Sequence, residues 1–171
     1  VVHMPEGTPL ETTASAADTL AADALNDSAV TSVQSYTGTS SPYTFNGLVR
    51  HYFLRRDPNL ADLQVMLTPK EERSEQSHDI AKRIRERLVP SARALGATIQ
   101  VVEVPPGPPV LQTIVAEVYG PDEARRLDLA KTIRTAMEKT TGVVDVYWYV
   151  DSPRRRVRLD VDTEKSMAAG V

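Results

Sequence analysis

The sequence predicts a mixed α+β fold, with strand–helix–strand units in a ferredoxin-like split βαβ arrangement. Three observations carry that expectation. Apolar residues recur at helical spacing in three stretches, each flanked by short β-favouring runs. Glycine, proline and asparagine clusters punctuate the joins. A weak internal repeat relates the two ends: Gly7 and Val30 frame one helix, and Gly120 and Val143 frame another at the same offset. In that frame Ala17 matches Ala130 and Leu20 matches Ile133.

The elements follow in order. Residues 1–5 read as a short strand and Pro5 to Pro9 as a turn, with Thr8 as helix cap and Pro9 at the first helical position. Leu10, Ala14, Ala17, Leu20, Ala21, Ala24 and Leu25 form the apolar stripe of the first helix, stopped by Asn26-Asp27-Ser28. Residues 29–36 read as a strand. A small-residue loop covers 37–47, and 48–55 reads as an extended arm. From 60 to 68 the chain alternates, with Leu63, Val65 and Leu67 on one face and Asp62, Gln64 and Met66 on the other. A helix over about 74–95 shows the stripe Ile80, Ile84, Leu88 with Val89 beside it. Pro90 predicts a kink or a break in it, and Gly96 a stop. Residues 98–104 read as a strand.

Pro105-Pro106-Gly107-Pro108-Pro109 is the strongest punctuation and marks a subdomain boundary. Residues 1–106 then make one complete split βαβ subdomain. Residues 107–171 hold the first half of a second: a strand over 110–119, a helix over 123–140, a strand over 143–150, another around Val157, Leu159 and Val161, and the start of a helix after Thr163. Val1-Val2 reads as the inside of a strand, and the ends together suggest a piece of a larger protein.

Composition narrows the function classes. The chain has 171 residues, 41% hydrophobic and 25% charged, enough for a packed core and unlike a coiled coil or a disordered chain. It has no cysteine, which excludes disulfides, thiolate metal sites and thiol catalysis within it. A net charge of −3 argues against a nucleic-acid partner. No apolar run reaches the roughly 18 residues of a membrane helix, and no signal-peptide pattern opens the chain.

Catalytic constellations are not visible. His3, His51 and His78 stand outside any nucleophile or zinc motif and read as solvated or structural. Glu71-Glu72 suits a helix start. Asp160-x-Asp162-x-Glu164 resembles the opening of a calcium loop, but Lys165 and Val171 stand where glycine and glutamate are needed; it reads better as a strand face and a helix cap. The glycines are dispersed and form no phosphate-binding pattern. Arg154-Arg155-Arg156 with Arg158, beside Trp148 and Tyr149, reads as a solvated hairpin turn or subunit interface before an anion site. Tyr147-Trp148-Tyr149 puts large aromatics on both faces of a strand, as at a layer boundary or interface. The loop over 37–47, carrying Tyr43, Phe45 and Asn46, has two readings: an aromatic lining for an apolar ligand, or a loop folding Phe45 onto its own core.

Several motifs together resemble the resistance-nodulation-division (RND) efflux permeases. They are Met4-Pro5-Glu6-Gly7-Thr8, Phe45-Asn46-Gly47-Leu48-Val49-Arg50, the Pro105–Pro109 run, Val118-Tyr119-Gly120-Pro121, Gly142-Val143-Val144-Asp145-Val146, and Asp160 to Lys165 with Gly170-Val171. The likeness spans nearly the whole chain and is similar to the second periplasmic loop of such transporters. It implies a porter region of a proton-driven drug or cation exporter, homotrimeric in a Gram-negative inner membrane, working with a periplasmic adaptor and an outer-membrane channel. It implies a non-catalytic role, no cofactor, and amphiphilic small molecules or cations as cargo. By position, Tyr43, Phe45 and Asn46 would lie on the substrate path. Heavy-metal members use methionine thioethers; only Met4 falls near such a position, a weak candidate, and Met66, Met137 and Met167 read as packing. The alternative is a free-standing ferredoxin-like regulatory module that binds a small ligand, which predicts complete sheets in both halves.

Overall fold

The computed structural model describes residues 1–42, 45–49, 51–103, 114–148, 150 and 157–170, with the backbone alone at 45 and 46. Strand β1 (Val2–His3) leads through a turn to helix α1 (Leu10–Leu25), then β2 (Val30–Thr37). A short helix α2 (Phe45–Val49) and a 3-10 turn (Tyr52–Leu54) precede β3 (Leu60–Leu67). Helix α3 (Ser77–Ala94) and β4 (Thr98–Ile99) follow. The second region holds α4 (Glu123–Lys139) and α5 (Thr163–Ala168). The result is mixed helix and sheet, with one antiparallel sheet in the order β2-β3-β1-β4.

Helical periodicity decides where the core lies. On α1 the buried side chains are Thr13, Ala16, Ala17, Leu20 and Ala24, one stripe at spacings of three and four. On α3 they are Ile80, Ala81, Ile84, Leu88 and Ala92. Both stripes meet Val2, Ala61, Val33, Leu63, Val65, Leu67 and Ile99, so both helices cover the same face of the sheet. Small residues on α1 let it approach closely, and α3 supplies the branched bulk. Thr13 is tolerated at full burial because its hydroxyl donates to the Pro9 carbonyl at 3.2 Å.

The turn between α1 and β2 is tied to α3. Asp27, 3% exposed, accepts from Arg83 Nε at 2.7 Å and Nη2 at 3.0 Å, and from the Ala29 N–H at 3.0 Å. Arg83 reaches Glu75 as well. The Arg83 hydrogen bonds hold the Asp27 carboxyl down at about 2.

Several expectations change. Helix α1 begins at Leu10 with Pro9 as its cap position, and the Thr8 hydroxyl instead donates to the Pro5 carbonyl at 2.6 Å. The stretch expected as an extended arm is helical: α2 runs to Val49, His51 turns the chain at φ 55°, and a 3-10 turn closes at Leu54. Pro90 does not end α3, which continues to Ala94. Pro90 is exposed, where the carbonyl it leaves unpaired one turn earlier is open to water. The strand expected over 98–104 is reduced to Thr98–Ile99. In the second half, the described residues of the expected strands (114–119, 143–148 and 150, 157–161) form no ladder. A β-branched run needs a partner edge to become a strand, and among the described residues none is paired with these. The proline-rich boundary at 105–109 and the basic run 154–156 lie outside the described residues.

Candidate functional site

The sheet face away from the helices carries a polar cluster centred on Asp62. Side chains alternate along β3, so Asp62 points opposite to Ala61 and Leu63. Its Oδ1 accepts from Arg55 Nε at 3.0 Å, and its Oδ2 accepts from the Ser41 backbone N–H at 3.1 Å. Arg55 also donates to the Val2 carbonyl at 3.2 Å and the Ala61 carbonyl at 3.4 Å. One carboxylate therefore closes the segment 41–55 into a loop held at both ends. The side chains of the pair are 11% and 5% exposed, so neither charge is solvated enough to stand alone.

His3 completes the cluster. Arg55 Nη1 lies 3.1 Å from His3 Nε2. A guanidinium has no acceptor, so Nε2 accepts, and His3 is the neutral tautomer with its proton on Nδ1. Burial first, and Arg55 second, push the imidazole down to about 4. On its other side the ring meets Tyr147, centroids 5.0 Å apart and tilted 38°.

Tyr147 belongs to a segment docked on the first unit by a second carboxylate. Asp145, at φ 56°, pairs with Arg85 of α3 at 2.7 and 3.3 Å. The same Asp145 accepts from the Val101 N–H at 3.0 Å, and Arg85 donates to the Val101 carbonyl at 3.0 Å. Asp145 thus caps the backbone just beyond β4. Arg134 of α4 lies over the Trp148 ring at 5.1 Å. Tyr147 and Trp148 accordingly meet different partners, His3 of β1 and Arg134 of α4.

The expected site residues are distributed as follows. Tyr43 lies outside the described residues. Phe45 and Asn46 open α2, between the two anchors on Asp62. Met4 is 8% exposed; its N–H donates to the Asn59 carbonyl at 2.8 Å and its carbonyl accepts from Asn59 Nδ2 at 3.0 Å. Those bonds give Met4 a packing role beside β1. Met66 and Met167 are exposed on other elements. Among the described residues no group of three His, Asp or Glu is placed to hold a metal. Asp162 caps α5, accepting from the Lys165 N–H at 3.1 Å, as the helix-cap reading of that motif expected. His78 pairs with Glu103 at 2.8 Å near the mouth of a cavity beside β1. No described helix is long and apolar enough to cross a membrane.

Sequence reasoning missed Arg55, Asp62 and Ser41 as a unit, and the Arg85–Asp145 clamp. Their signal was faint: an aspartate on the polar parity of an amphipathic strand, and an acidic residue inside a valine run. No family model, curated protein or solved structure matches the chain.

Proposed function

We propose that the first unit is a ferredoxin-like split βαβ subdomain, and that the chain is the porter region of a proton-driven RND efflux permease. What carries this is the strand order β2-β3-β1-β4 with two strand–helix–strand units whose helices share one face, on a chain bearing the permease-like motifs. The pinned segment 41–55 supports a substrate-path role for Tyr43, Phe45 and Asn46. A segment anchored at both ends whose sequence carries aromatic residues suits an adaptable apolar contact. The role is non-catalytic, and the cargo is an amphiphilic small molecule or cation. The second region would supply the beginning of a neighbouring subdomain. The intact protein would be a homotrimer in a Gram-negative inner membrane, joined to a periplasmic adaptor and an outer-membrane channel.

The test uses the full-length protein. Cells expressing it should accumulate less ethidium than controls, and collapsing the proton gradient should abolish the difference. Phe45→Ala should change the ranking of exported dyes while leaving expression intact. A reading frame without membrane helices on either side of this segment would sink the proposal.

A further inference from the structure

His3 and Arg55 are held to the sheet in different ways. The backbone of His3 pairs with Leu60 of β3 on one side and with Thr98 of β4 on the other, so the residue is fixed from both edges. Successive strand side chains point to opposite faces, so Val2 enters the core and His3 lies on the face of Arg55 and Asp62. Arg55 reaches that face from the end of the 3-10 turn Tyr52–Leu54. Its guanidinium ties the turn to Asp62 at 3.0 Å, to His3 Nε2 at 3.1 Å, to the Val2 carbonyl at 3.2 Å and to the Ala61 carbonyl at 3.4 Å. These bonds straddle the seam between β1 and β3.

Four groups face the imidazole: Arg55 from the turn, Asp62 from β3, the Val1 amine from the start of β1, and the Tyr147 ring from the second region. Arg55 and the amine oppose a charged ring, and Asp62 favours one. Asp62 is already shared between Arg55 Nε and the Ser41 N–H. One carboxylate in so dry a place does not balance a guanidinium and an imidazolium together. Tyr147, 5.0 Å away, does not oppose the charge, because an aromatic face tolerates a cation.

The proton count at Nε2 therefore decides the contact with Arg55. Neutral, Nε2 offers a lone pair to Nη1. Protonated, it turns an N–H toward an N–H, and a hydrogen bond becomes a meeting of two cations. A guanidinium does not give up its proton to relieve this. His3 is pinned by two ladders, so Arg55 is the partner that moves.

We propose that His3 is a proton-operated latch on Arg55: neutral, it locks the turn Tyr52–Leu54 onto the seam of β1 and β3, and protonated, it expels the guanidinium and frees the turn from the sheet. The latch works whatever the protein transports or binds. Burial and Arg55 hold the latched ring at about 4 against the ordinary 6.5. A ring depressed when latched takes up a proton on release, so acid favours the released form. If release restores the ordinary value, the released share is about tenfold larger at about pH 5.5 than at about pH 7.5.

The experiment measures solvent exchange of the Arg55 Nε–H by NMR at those two pH values, as protection relative to free arginine. Protection should fall about tenfold at the lower pH, while the Ile84 backbone amide stays at least roughly tenfold better protected than Arg55 at both. His3→Gln supplies an acceptor that does not titrate, so its Arg55 protection should be equal at the two pH values. The Val1 amine is common to both chains and cancels in the comparison. Unchanged protection in the unaltered chain would overturn the proposal. So would an equal fall in His3→Gln, or exposure of Arg55 only together with Ile84, which is global unfolding. Should His3→Gln not fold, the ring titration of His3 in the unaltered chain decides. A midpoint well below 6.5 is expected, and one at or above 6.5 with Arg55 still protected would refute the latch.

Discussion

Arg55 and Asp62, seven residues apart in the chain, form an ion pair of 3.0 Å that is nearly closed to solvent. The pair joins the end of the aromatic segment to the centre of the sheet. Removing one member of such a pair strands the other charge, which typically costs about 3–5 kcal/mol. Asp62→Ala should lower unfolding free energy by about 3 kcal/mol on that ground. In a double-mutant cycle with Arg55→Ala the double variant should lose clearly less than the sum of the singles. Additive losses in denaturant titrations would show that the two act independently.

Stability should fall in stages as pH is lowered. His3, near 4 when folded against 6.5, makes the unfolded chain bind more protons between about pH 4 and 6.5, so stability rises with pH there. Asp27 is depressed to about 2 from 3.8, so its contribution is present above 3.8 and is lost as pH falls through 2. Equilibrium denaturation in a pH series should show His3→Gln flattening the upper window and Asp27→Asn the lower. A His3→Gln variant with an unchanged slope between pH 4 and 6.5 would refute the buried neutral imidazole.

Asp145 should govern the docking of the second segment. Asp145→Ala removes both acceptors from Arg85 and the cap from Val101. A loss of about 1–3 kcal/mol is expected for groups left unpaired in a half-buried setting. Hydrogen exchange at Val101 should accelerate, and the His3–Tyr147 contact should loosen, seen as altered Tyr147 ring resonances. Unchanged exchange at Val101 would mean that the clamp adds nothing to docking.

Core and open face should respond differently to truncation. Leu20 is fully buried at the junction of α1 with the sheet, and Leu20→Ala should cost about 2–5 kcal/mol. Met66, on the same sheet as the core residues but 52% exposed, should cost less than about 0.5 kcal/mol when changed to alanine. Comparable midpoints in urea for the two variants would contradict the placement of the core.

The helices and the parity of β3 were legible because one repeating pattern specifies each: Ile80, Ile84 and Leu88 mark a buried helix face, and Leu63, Val65 and Leu67 a strand face. The stretch from Leu48 to Arg55 was not. It is too short to show a period, and His51 in a left-handed turn interrupts it. Asp62 was visible only as a polar residue on the outward side. Its importance comes from pairing with a backbone N–H twenty-one residues earlier and a guanidinium seven residues earlier. Asp145 and Arg85 meet across sixty residues, and no local pattern announces such a contact. The described residues of the strands expected in the second half form no ladder for a related reason: Val143 and Val144 favour extended backbone, but a ladder is a property of two edges. Of the expected site residues, Phe45 and Asn46 fall between the anchors on Asp62, and Met4 is fixed in the packing beside β1.

Holding the stretch from Ser41 to Arg55 by both ends on a single carboxylate separates its tip from its foundations. Closing a longer loop between fixed points costs only about 0.6 kcal/mol per doubling of length. The segment can therefore be lengthened with little penalty to the sheet beneath where it does not touch it, whereas Gly47 and Tyr52, which line the cavity against β3, must be kept, and a change at Asp62 is felt at both ends. The carboxylate acts as a fixed clasp, and grafting experiments should leave Ser41, Gly47 and Tyr52 to Arg55 in place.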